Sequence, residues 1–343
     1  MIHIICNNAN SKKDGIGDYS YNLYKFFQQV EKCEVTIHSA NSGTKGIINK
    51  IVSMNMSKLF YHVCHKINSN DIIIIEYPFA ECNVMIIPFL RKLRGSISRQ
   101  GGVLLLSLHE YERVNFLRKY IIKHFLISSD VILVTDRHTK TILAQKYDKP
   151  ISLRTIPSNI YELPLKGIVK NRRVYIYFGL ITKAKAIDNM LQAWKIFNAN
   201  NDNTLYFLTS SSFTNSYERY GVRFLANLDK TEIARYFCMA CFCVLPIIPC
   251  VSINNASYKT ALLYGCIPIG HFDDSISQKQ FPINVDGNSV DDYLHGFSAS
   301  RNLSDFDYKR KMAIIENMPH PTFENTVKEY QDVIRHYLER HHT

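Results

Sequence analysis

The sequence predicts an α/β protein with two doubly wound parallel sheets. Short apolar runs typical of buried strands alternate with segments of helical periodicity along most of the chain. Prolines, a glycine and a charged link interrupt this alternation near residue 160, and the pattern then starts again. The 343 residues also exceed what one hydrophobic core usually serves. We therefore expect two similar domains, residues 1–160 and 161–322, and a closing C-terminal helix over residues 323–343.

The first domain should begin with the strand Ile2–Cys6 and a helix over Asp18–Val30, whose apolar residues recur on one side. The four isoleucines of IIIIEY are typical of a parallel strand covered on both faces. The other expected elements are the strand Val35–Ser39, the helix Val84–Arg94, the strand Val103–Leu108, the helix Arg113–Leu126 and the strand Val131–Thr135.

The second domain should repeat the arrangement, starting from the strand VYIYFG. Its expected elements are the strand Val174–Gly179, the helix Ile187–Asn198, the strand Thr204–Thr209, the helix Lys230–Cys238, the strand Phe242–Pro246, the helix Tyr258–Tyr264 and the strand Ile267–Gly270. Apolar residues at helical spacing predict the last helix, between Phe323 and Arg340.

The composition is typical of a soluble globular protein, with 46% hydrophobic and 21% charged residues. No apolar run approaches the roughly 18 residues that cross a bilayer, and the first residues do not have the pattern of a secretory signal. The nine cysteines are scattered, which favours reduced thiols and a cytoplasmic location. The irregular spacing of Cys238, Cys241, Cys243 and Cys250 argues against a zinc site.

Positive charge is concentrated in the first half of the chain. Residues 1–160 hold 21 Lys and Arg against 12 Asp and Glu, whereas the rest of the chain is nearly balanced. Such a field attracts a membrane surface, a nucleic acid or a phosphorylated acceptor. The segments VMIIPFLRKLR and FLRKYIIKHFL combine apolar and basic residues, as a membrane-contacting helix or an ordinary surface helix would. No nucleic-acid-binding module is recognisable, so we expect no nucleic-acid partner.

Four loops at the carboxyl ends of predicted strands carry unusual residues. They are Gly15-Ile16-Gly17, the loop that starts at His109, the lysine-containing loop Phe178–Asp188 and the polar loop that starts at Pro249. Glycine amides, a strand-end histidine, lysines and a helix N-terminus together suit a diphosphate. Each feature also has an ordinary structural interpretation: a turn, a core histidine, a solvated lysine face and a helix cap.

The order of these motifs resembles that of the GT-B glycosyltransferases, and among them glycosyltransferase family 4 and its close relatives. The segments that carry the resemblance are GIGDYSYNL, IIIIEYP, LLLSLHEYERV, SSDVILVTD, LRTIPSNI, YFGLITKAKAIDNMLQAW, GVRFLANLDKTEIARYFCMACFCVLPI and ASYKTALLYGCIPIG. The resemblance implies two Rossmann-like domains that face a central cleft. It further implies sugar transfer from a nucleotide diphosphate sugar to an acceptor hydroxyl, usually with retention and with no metal or other cofactor.

The resemblance also implies roles for individual residues. The residues expected to act in catalysis are His109, Lys185 and Lys183. Those expected at the donor diphosphate are Gly15, Gly17, Ser257, Lys185 and Thr182. Those expected at the donor nucleotide or sugar are Ser252, Asn254, Asn255 and Thr260. Those expected on the acceptor side are Asp18, Tyr19 and Glu110.

Three positions depart from the family pattern. Thr182 stands where the family commonly has an arginine, and the neighbouring Lys183 could substitute for it without the bidentate fork. Ser252 and Thr260 stand where the family often has two glutamates, the second of which commonly binds the ribose.

The expected function is therefore glycosyl transfer in cell-surface glycan synthesis, with a glycan or lipid-linked acceptor and peripheral contact with the inner membrane face. One alternative is a nucleotide-sugar epimerase on the same fold, which would need acid and base side chains around the sugar. Another is a basic nucleic-acid-binding protein, suggested by the charge of the first half.

Overall fold

The computed structural model describes residues 1–9, 14–30, 34–39, 50–79, 82–111, 114–161, 167–210 and 220–341, with backbone only for 50–55 and 341. These residues form two compact units. Unit 1 combines Met1–Ile156 with Pro321–Thr343, and unit 2 comprises Pro157–His320. The C-terminal segment therefore belongs to the same unit as the N-terminus.

Unit 1 contains a parallel sheet with the strand order β2-β1-β3-β4-β5-β6. Its strands are β1 (Ile2–Cys6), β2 (Val35–Ser39), β3 (Ile72–Tyr77), β4 (Val103–Leu108), β5 (Val131–Val134) and β6 (Ile151–Leu153). Its helices are α1 (Gly15–Val30), α2 (Lys50–Cys64), α3 (Ile86–Arg99), α4 (Phe116–Ser128), α5 (Arg137–Ala144) and the C-terminal α12 (Phe323–His341). The strands β3 and β4 are buried along almost their whole length, as their apolar runs predict.

The two faces of this sheet are covered by different helices. Side chains of α2, α3 and α4 share one hydrophobic core with alternate residues of β3 and β4, such as Ile75 and Leu106. The helices α1 and α12 pack against each other. The side chain of Tyr330 on α12 reaches Glu76 of β3, which alternates with the core-facing Ile75 and Tyr77. Glu76 therefore points to the face that α12 covers.

Three elements of unit 1 were not predicted, namely α2, α5 and β6. The strand β6 has three residues, none fully buried, which is too short and too exposed for an apolar pattern to show. The helix α1 begins at Gly15, three residues earlier than expected, because the Asp14 carboxylate accepts the amide protons of Ile16 and Gly17 and so caps the helix. The expected start of the α4 helix, Arg113, lies outside the described residues.

Unit 2 contains a second parallel sheet with the strand order β12-β11-β10-β7-β8-β9. Its strands are β7 (Asn171–Phe178), β8 (Thr204–Thr209), β9 (Arg223–Ala226), β10 (Ala240–Leu245), β11 (Ile267–Gly270) and β12 (Ile283–Asn284). Its helices are α6 (Ile187–Asn198), α7 (Lys230–Met239), α8 (Ala256–Leu263), α9 (Asp274–Ser277), α10 (Val290–Arg301) and α11 (Asp305–Glu316). The sequence prediction omitted β9, β12 and α9 to α11. The eight described cysteines are all free thiols.

Candidate functional site

In unit 2, candidate residues gather at the carboxyl edge of the sheet between β7 and β10. From β7 the chain crosses to β8 on one side of the sheet, and it later places β10 on the other side of β7. Such a reversal of strand order opens a crevice at the carboxyl ends of the strands, where open α/β sheets bind ligands. The loops that follow β7 and β10 hold each other through backbone hydrogen bonds from Ala186 to Pro246 and from Ile248 to Ala184.

Lys185 lies on the loop that follows β7. Its Nζ donates a hydrogen bond of 2.9 Å to the hydroxyl of Tyr177, and that hydroxyl donates to the carbonyl of Leu180. The Nζ also lies 5.1 Å from the centre of the Tyr177 ring. Burial removes water from the ammonium and lowers the pKa of Lys185 to about 8. Lys185 is thus a partly desolvated cation whose Nζ is positioned by its hydrogen bond to Tyr177.

Ser257 lies in the first turn of α8. The Asn255 side chain caps this helix by accepting the amide proton of Tyr258. The hydroxyl of Ser257 donates 2.8 Å to the carbonyl of Phe178, the last residue of β7. The start of α8 is therefore tied to the end of β7, and its N-terminal amides carry the partial positive charge of the helix dipole.

Gly179 is the point at which these groups converge. A Cβ on Gly179 would lie 2.5 Å from Lys185 Nζ, 3.5 Å from Ser257 Oγ and 3.6 Å from the hydroxyl of Tyr177. Its φ of +144° is also one that residues with a side chain rarely adopt. A cation, a hydroxyl and a helix N-terminus thus surround Gly179, which has no side chain to fill the space between them. Such an arrangement can bind an anion such as a phosphate.

In unit 1, the α1 N-terminus follows β1, but its first amides are already used. Asp14 Oδ1 accepts from the amides of Ile16 and Gly17 at 3.0 and 3.1 Å. A Cβ on Gly17 would overlap with the backbone carbonyl of Asn8, so only glycine fits where α1 packs against this part of the backbone. Gly15 is exposed and a Cβ there would meet nothing within 4 Å.

His109 directly follows β4 and sits between two buried charges. Its Nε2 lies 2.7 Å from the Glu76 carboxylate and 2.9 Å from the Arg154 guanidinium. Burial, reinforced by the Arg154 charge, lowers the pKa of His109 to about 4, so the ring is neutral. A neutral Nε2 either donates to Glu76 or accepts from Arg154, because each tautomer has one role for that atom. The side chain is 8% exposed.

The Glu76 carboxylate is the centre of this network. It accepts hydrogen bonds from Ser107 at 2.6 Å and from Tyr330 at 2.6 Å. Burial on its own raises the pKa of Glu76, but the His109 hydrogen bond and the Arg154 charge outweigh it and hold the pKa below its usual value. The carboxylate is therefore ionised, and fully buried, opposite Arg154.

Tyr19 joins the network from α1. Its hydroxyl accepts a hydrogen bond of 2.9 Å from Arg154, and its ring packs edge-on against His109 with 5.1 Å between centres. Tyr19 is itself buried. The structure thus brings Tyr19 and His109 together, two residues that the sequence assigned to different roles.

No protein-family model matches this sequence, and no curated protein gives a significant match. Solved structures do match. A glycosyltransferase from Rickettsia africae ESF-5 is 11% identical with a TM-score of 0.67, and the match covers 98% of each chain. An alpha-glucosyltransferase in complex with UDP-glucose and DNA containing an abasic site is 14% identical with a TM-score of 0.64, and the match covers 97% of this chain and 99% of the other.

The pneumococcal O-GlcNAc transferase GtfA, solved with UDP and GlcNAc, is 11% identical with a TM-score of 0.58. The match covers 83% of this chain and only 60% of GtfA, and a GtfA/B complex is likewise matched over 61% of its chain. The two parallel six-stranded sheets of this chain, with their flanking helices, match the two-domain GT-B architecture of these neighbours. The chain has the GT-B fold. The narrower resemblance to glycosyltransferase family 4 stays a prediction.

Within the GT-B fold, the remaining predicted residues of unit 2 lie on the loops around Gly179. Thr182 and Lys183 are exposed on the loop that carries Lys185. The partly exposed residues on the approach to α8 are Ser252, Asn254 and Asn255. Thr260 is buried, and its hydroxyl donates to the carbonyl of Ala256 and contacts the hydroxyl of Ser158 at 2.8 Å.

The two other acceptor-side predictions lie in unit 1, at the same carboxyl edge as His109. Asp18 is in the first turn of α1 and is partly exposed. Glu110 follows His109 and is exposed. Among the described residues, no group of three His, Cys, Asp or Glu side chains could hold a metal ion.

Sequence reasoning missed several residues that shape the two edges: Glu76, Arg154, Tyr330, Tyr177 and Gly179. Glu76 had a usable signal, because a lone carboxylate in a run of isoleucines has to be paired when it is buried. The partner could not be read from the sequence, since Arg154 and Tyr330 come from distant segments of the chain.

Proposed function

We propose that this chain is a glycosyltransferase that moves a sugar from a nucleotide diphosphate sugar to an acceptor hydroxyl. The observation that carries the proposal is the convergence of Lys185, Ser257 and the α8 N-terminus on Gly179 at the strand-order reversal of unit 2. The GT-B fold supports it, because one neighbour was solved with UDP-glucose and another with UDP and GlcNAc. The donor diphosphate is assigned to this convergence point.

The proposed chemistry follows from the charge that develops during transfer. Breaking the bond between sugar and phosphate builds negative charge on the departing diphosphate. The Lys185 ammonium and the α8 amides would bind that charge more strongly in the transition state than in the ground state, which lowers the barrier. We propose that these groups act without a metal ion, that the anomeric configuration is retained, and that a leaving phosphate oxygen takes the acceptor's proton.

The surrounding residues receive secondary roles in this proposal. The exposed Thr182 and Lys183 would contact the outer face of the diphosphate, and Ser252, Asn254 and Asn255 would contact the nucleotide or sugar. The hydroxyl of Thr260 already bonds to Ala256 and Ser158, so it would act by fixing α8 to the segment that contains Ser158. In unit 1, Asp18, Tyr19 and Glu110 would line the acceptor side, and His109 would act in catalysis. The expected role of Gly15 and Gly17 at the donor diphosphate stays a prediction. The proposed acceptor is a glycan or lipid-linked glycan of the cell surface.

A thermal-shift screen against UDP-, GDP-, ADP- and CMP-sugars tests the donor half of the proposal. A ligand present at 100 times its Kd should raise the unfolding free energy by about 2.7 kcal/mol, so one nucleotide class should stand out. The stabilising donor is then incubated with and without candidate glycan acceptors, and the products are separated by mass and anomeric configuration. Glycosylated acceptor supports transfer, whereas a changed sugar nucleotide without acceptor would support the epimerase instead. Stabilisation by none of the four classes would contradict the proposal.

A further inference from the structure

Three helices that cover one face of the unit 1 sheet contain no acidic residue. Neither Asp nor Glu occurs in α2, α3 or α4, which together contain Lys50, Lys58, Arg91, Lys92, Arg94, Arg99, Arg118, Lys119 and Lys123. The other face is nearly balanced in charge. The acidic residues of α1 and α12 offset the basic residues of the same helices, which are Lys25, Lys328, Arg335 and Arg340; the acidic residues are Asp18, Glu324, Glu329, Asp332 and Glu339. The positive charge of the first half of the chain is thus concentrated on one side of unit 1.

Most of this charge is presented to solvent. Lys58, Arg91, Lys92, Lys119 and Lys123 are all exposed. By contrast, Arg94 is partly buried and forms a salt bridge with Asp130, so it adds little to the outward field. Like charges on one face repel one another, and an anionic surface would remove that cost.

The helix α4 is apolar on both its inner and its outer side. Its inner residues, Ile121, Ile122, Phe125 and Leu126, are buried in the core of unit 1. A second row at helical spacing consists of Phe116, Tyr120, Lys123 and Ile127. Within this row the side chains of Phe116, Tyr120 and Ile127 are 83%, 47% and 55% exposed. Large apolar side chains that are exposed in a row mark a surface to which a partner or a membrane binds.

Neighbouring positions extend this apolar surface. Leu117 in the first turn of α4 is 51% exposed, and Met85, directly ahead of α3, is 63% exposed. Tyr61 on α2 is also exposed, and its ring contacts the Lys92 ammonium at 4.2 Å from the ring centre. Large apolar side chains are therefore interspersed with the lysines on one continuous layer of helices.

We propose that this layer docks on an anionic lipid surface. The basic face is defined as Lys58, Arg91, Lys92, Lys119 and Lys123 together with Phe116, Leu117, Tyr120 and Ile127. The lysines and Arg91 contact lipid phosphates, and the α4 row enters the boundary between headgroups and acyl chains, as interfacial helices do. The surface lies wholly within unit 1, so the proposal goes beyond glycosyl transfer and does not depend on it.

Two other partners fit the same face less well. A nucleic acid would satisfy the cations through its phosphates but would leave Phe116 and Ile127 against a charged backbone. A second copy of the chain would bring two acid-free faces together, and their charges would repel. A lipid surface satisfies both the charge and the apolar side chains.

Sedimentation of the full chain with vesicles tests the proposal. We expect the protein to sediment with phosphatidylcholine vesicles that contain phosphatidylglycerol, and to stay in solution with vesicles of phosphatidylcholine alone. Raising the salt concentration should release it, because salt screens the attraction. Replacing Lys58, Lys92, Lys119 and Lys123 together by Gln should lower partitioning by about 100-fold or more, since each cation near an anionic surface contributes about 1 kcal/mol.

The apolar contribution is tested separately with Phe116→Ala combined with Tyr120→Ala, for which we expect roughly tenfold weaker partitioning. Both sets of positions are exposed, so circular dichroism and Tm should be unchanged. The matched control is Phe306→Ala with Lys309→Gln on α11, where Phe306 is 75% exposed beside Asp305 and Asp307. This control should partition like the wild type.

Four results would overturn the proposal. They are equal sedimentation with neutral and anionic vesicles, no sedimentation with anionic vesicles, unchanged partitioning of either variant, and loss of partitioning in the α11 control. Binding of a duplex oligonucleotide without vesicle binding would assign the face to nucleic acid instead. None of these measurements uses a nucleotide sugar. A negative result would therefore contradict only the membrane proposal and would not bear on the proposed transferase activity.

Discussion

The Nζ of Lys185 lies 2.9 Å from the hydroxyl of Tyr177 and 2.5 Å from the position that a Cβ on Gly179 would take. Because the Tyr177 hydroxyl donates to the Leu180 carbonyl, its lone pair faces the ammonium. This bond uses one of the three N–H groups of the ammonium. A partly desolvated cation beside partly exposed backbone is costly for folding unless an anion binds to it, which is the physical basis of the proposed donor site.

Replacing Lys185 by Met should separate function from stability. We expect turnover to fall by roughly 100- to 1000-fold, the loss typical when one group that stabilises transition-state charge is removed. The Tm at neutral pH should rise, because burial disfavours the protonated lysine that Met replaces. Steady-state kinetics and thermal denaturation measure the two effects.

The control for that variant is Lys195→Met, at an exposed position on α6 of the same unit. It should leave turnover and Tm close to those of the wild type. Full turnover in Lys185→Met would remove Lys185 from the mechanism. A lowered Tm in that variant would contradict the inferred cost of its burial.

Substitution of Gly179 by Ala should block the donor site sterically. The added Cβ would lie 2.5 Å from Lys185 Nζ, so the ammonium must move. The matched control is Gly167→Ala, since Gly167 also has a positive φ, +84°, but its Cβ would meet nothing within 4 Å. Both variants should lose about 1–2 kcal/mol of stability to backbone strain.

Only the Gly179 variant should also lose donor affinity, by about tenfold or more, as measured by calorimetric titration. Equal donor affinity in the two variants would show that the space at Gly179 is not used by the ligand.

Donor affinity should decrease as the pH rises through about 8. The pKa of Lys185 is lowered to about 8, so the ammonium is present below that pH and is lost above it. The phosphate groups of a nucleotide sugar stay ionised throughout this range. Bound donor favours the ammonium, so donor binding should take up a proton above pH 8. Calorimetry in buffers of different ionisation enthalpy measures this uptake, which should be absent in Lys185→Met.

The sequence was informative about unit 2 because the loops that carry the candidate residues follow from local patterns. The strand–loop–helix order identified both the loop of Lys185 and the start of α8, and parallel strands bring such loops to one edge. It did not identify Gly179 as the convergence point, because nothing local reveals that Ser257 bonds to the Phe178 carbonyl. Nor did it show that the Thr260 hydroxyl is occupied, since Ser158 lies 102 positions away.

In unit 1 the sequence located His109 but not its surroundings. The strand-end position followed from the apolar run of β4, whereas the Glu76 and Arg154 contacts depend on how distant segments pack. Tyr330 is one of the residues at helical spacing that predict the last helix, and this spacing indicates only that its ring packs against the domain. Its hydroxyl instead reaches a buried carboxylate 254 positions earlier in the chain.

Tyr330→Phe should destabilise unit 1 through that carboxylate. The substitution removes a hydrogen bond of 2.6 Å to the ionised Glu76 while keeping the ring. Hydrogen bonds to charged groups contribute about 1.5–3 kcal/mol, so the unfolding free energy should fall by that amount in denaturant titration. The comparison is Tyr120→Phe. Because Tyr120 is exposed, removing its hydroxyl should change the unfolding free energy by less than about 0.5 kcal/mol. Equal stability of the two variants would contradict the network.

Calorimetric titration of the wild type and Lys185→Met with UDP-, GDP-, ADP- and CMP-sugars, all in EDTA, tests the diphosphate site most directly. We predict that at least one of these donors binds the wild type without a divalent metal and binds Lys185→Met at least tenfold more weakly, with Lys195→Met unaffected. Binding of no donor by the wild type, or equal affinity in Lys185→Met, would contradict the assignment of the diphosphate to Gly179, Lys185 and Ser257.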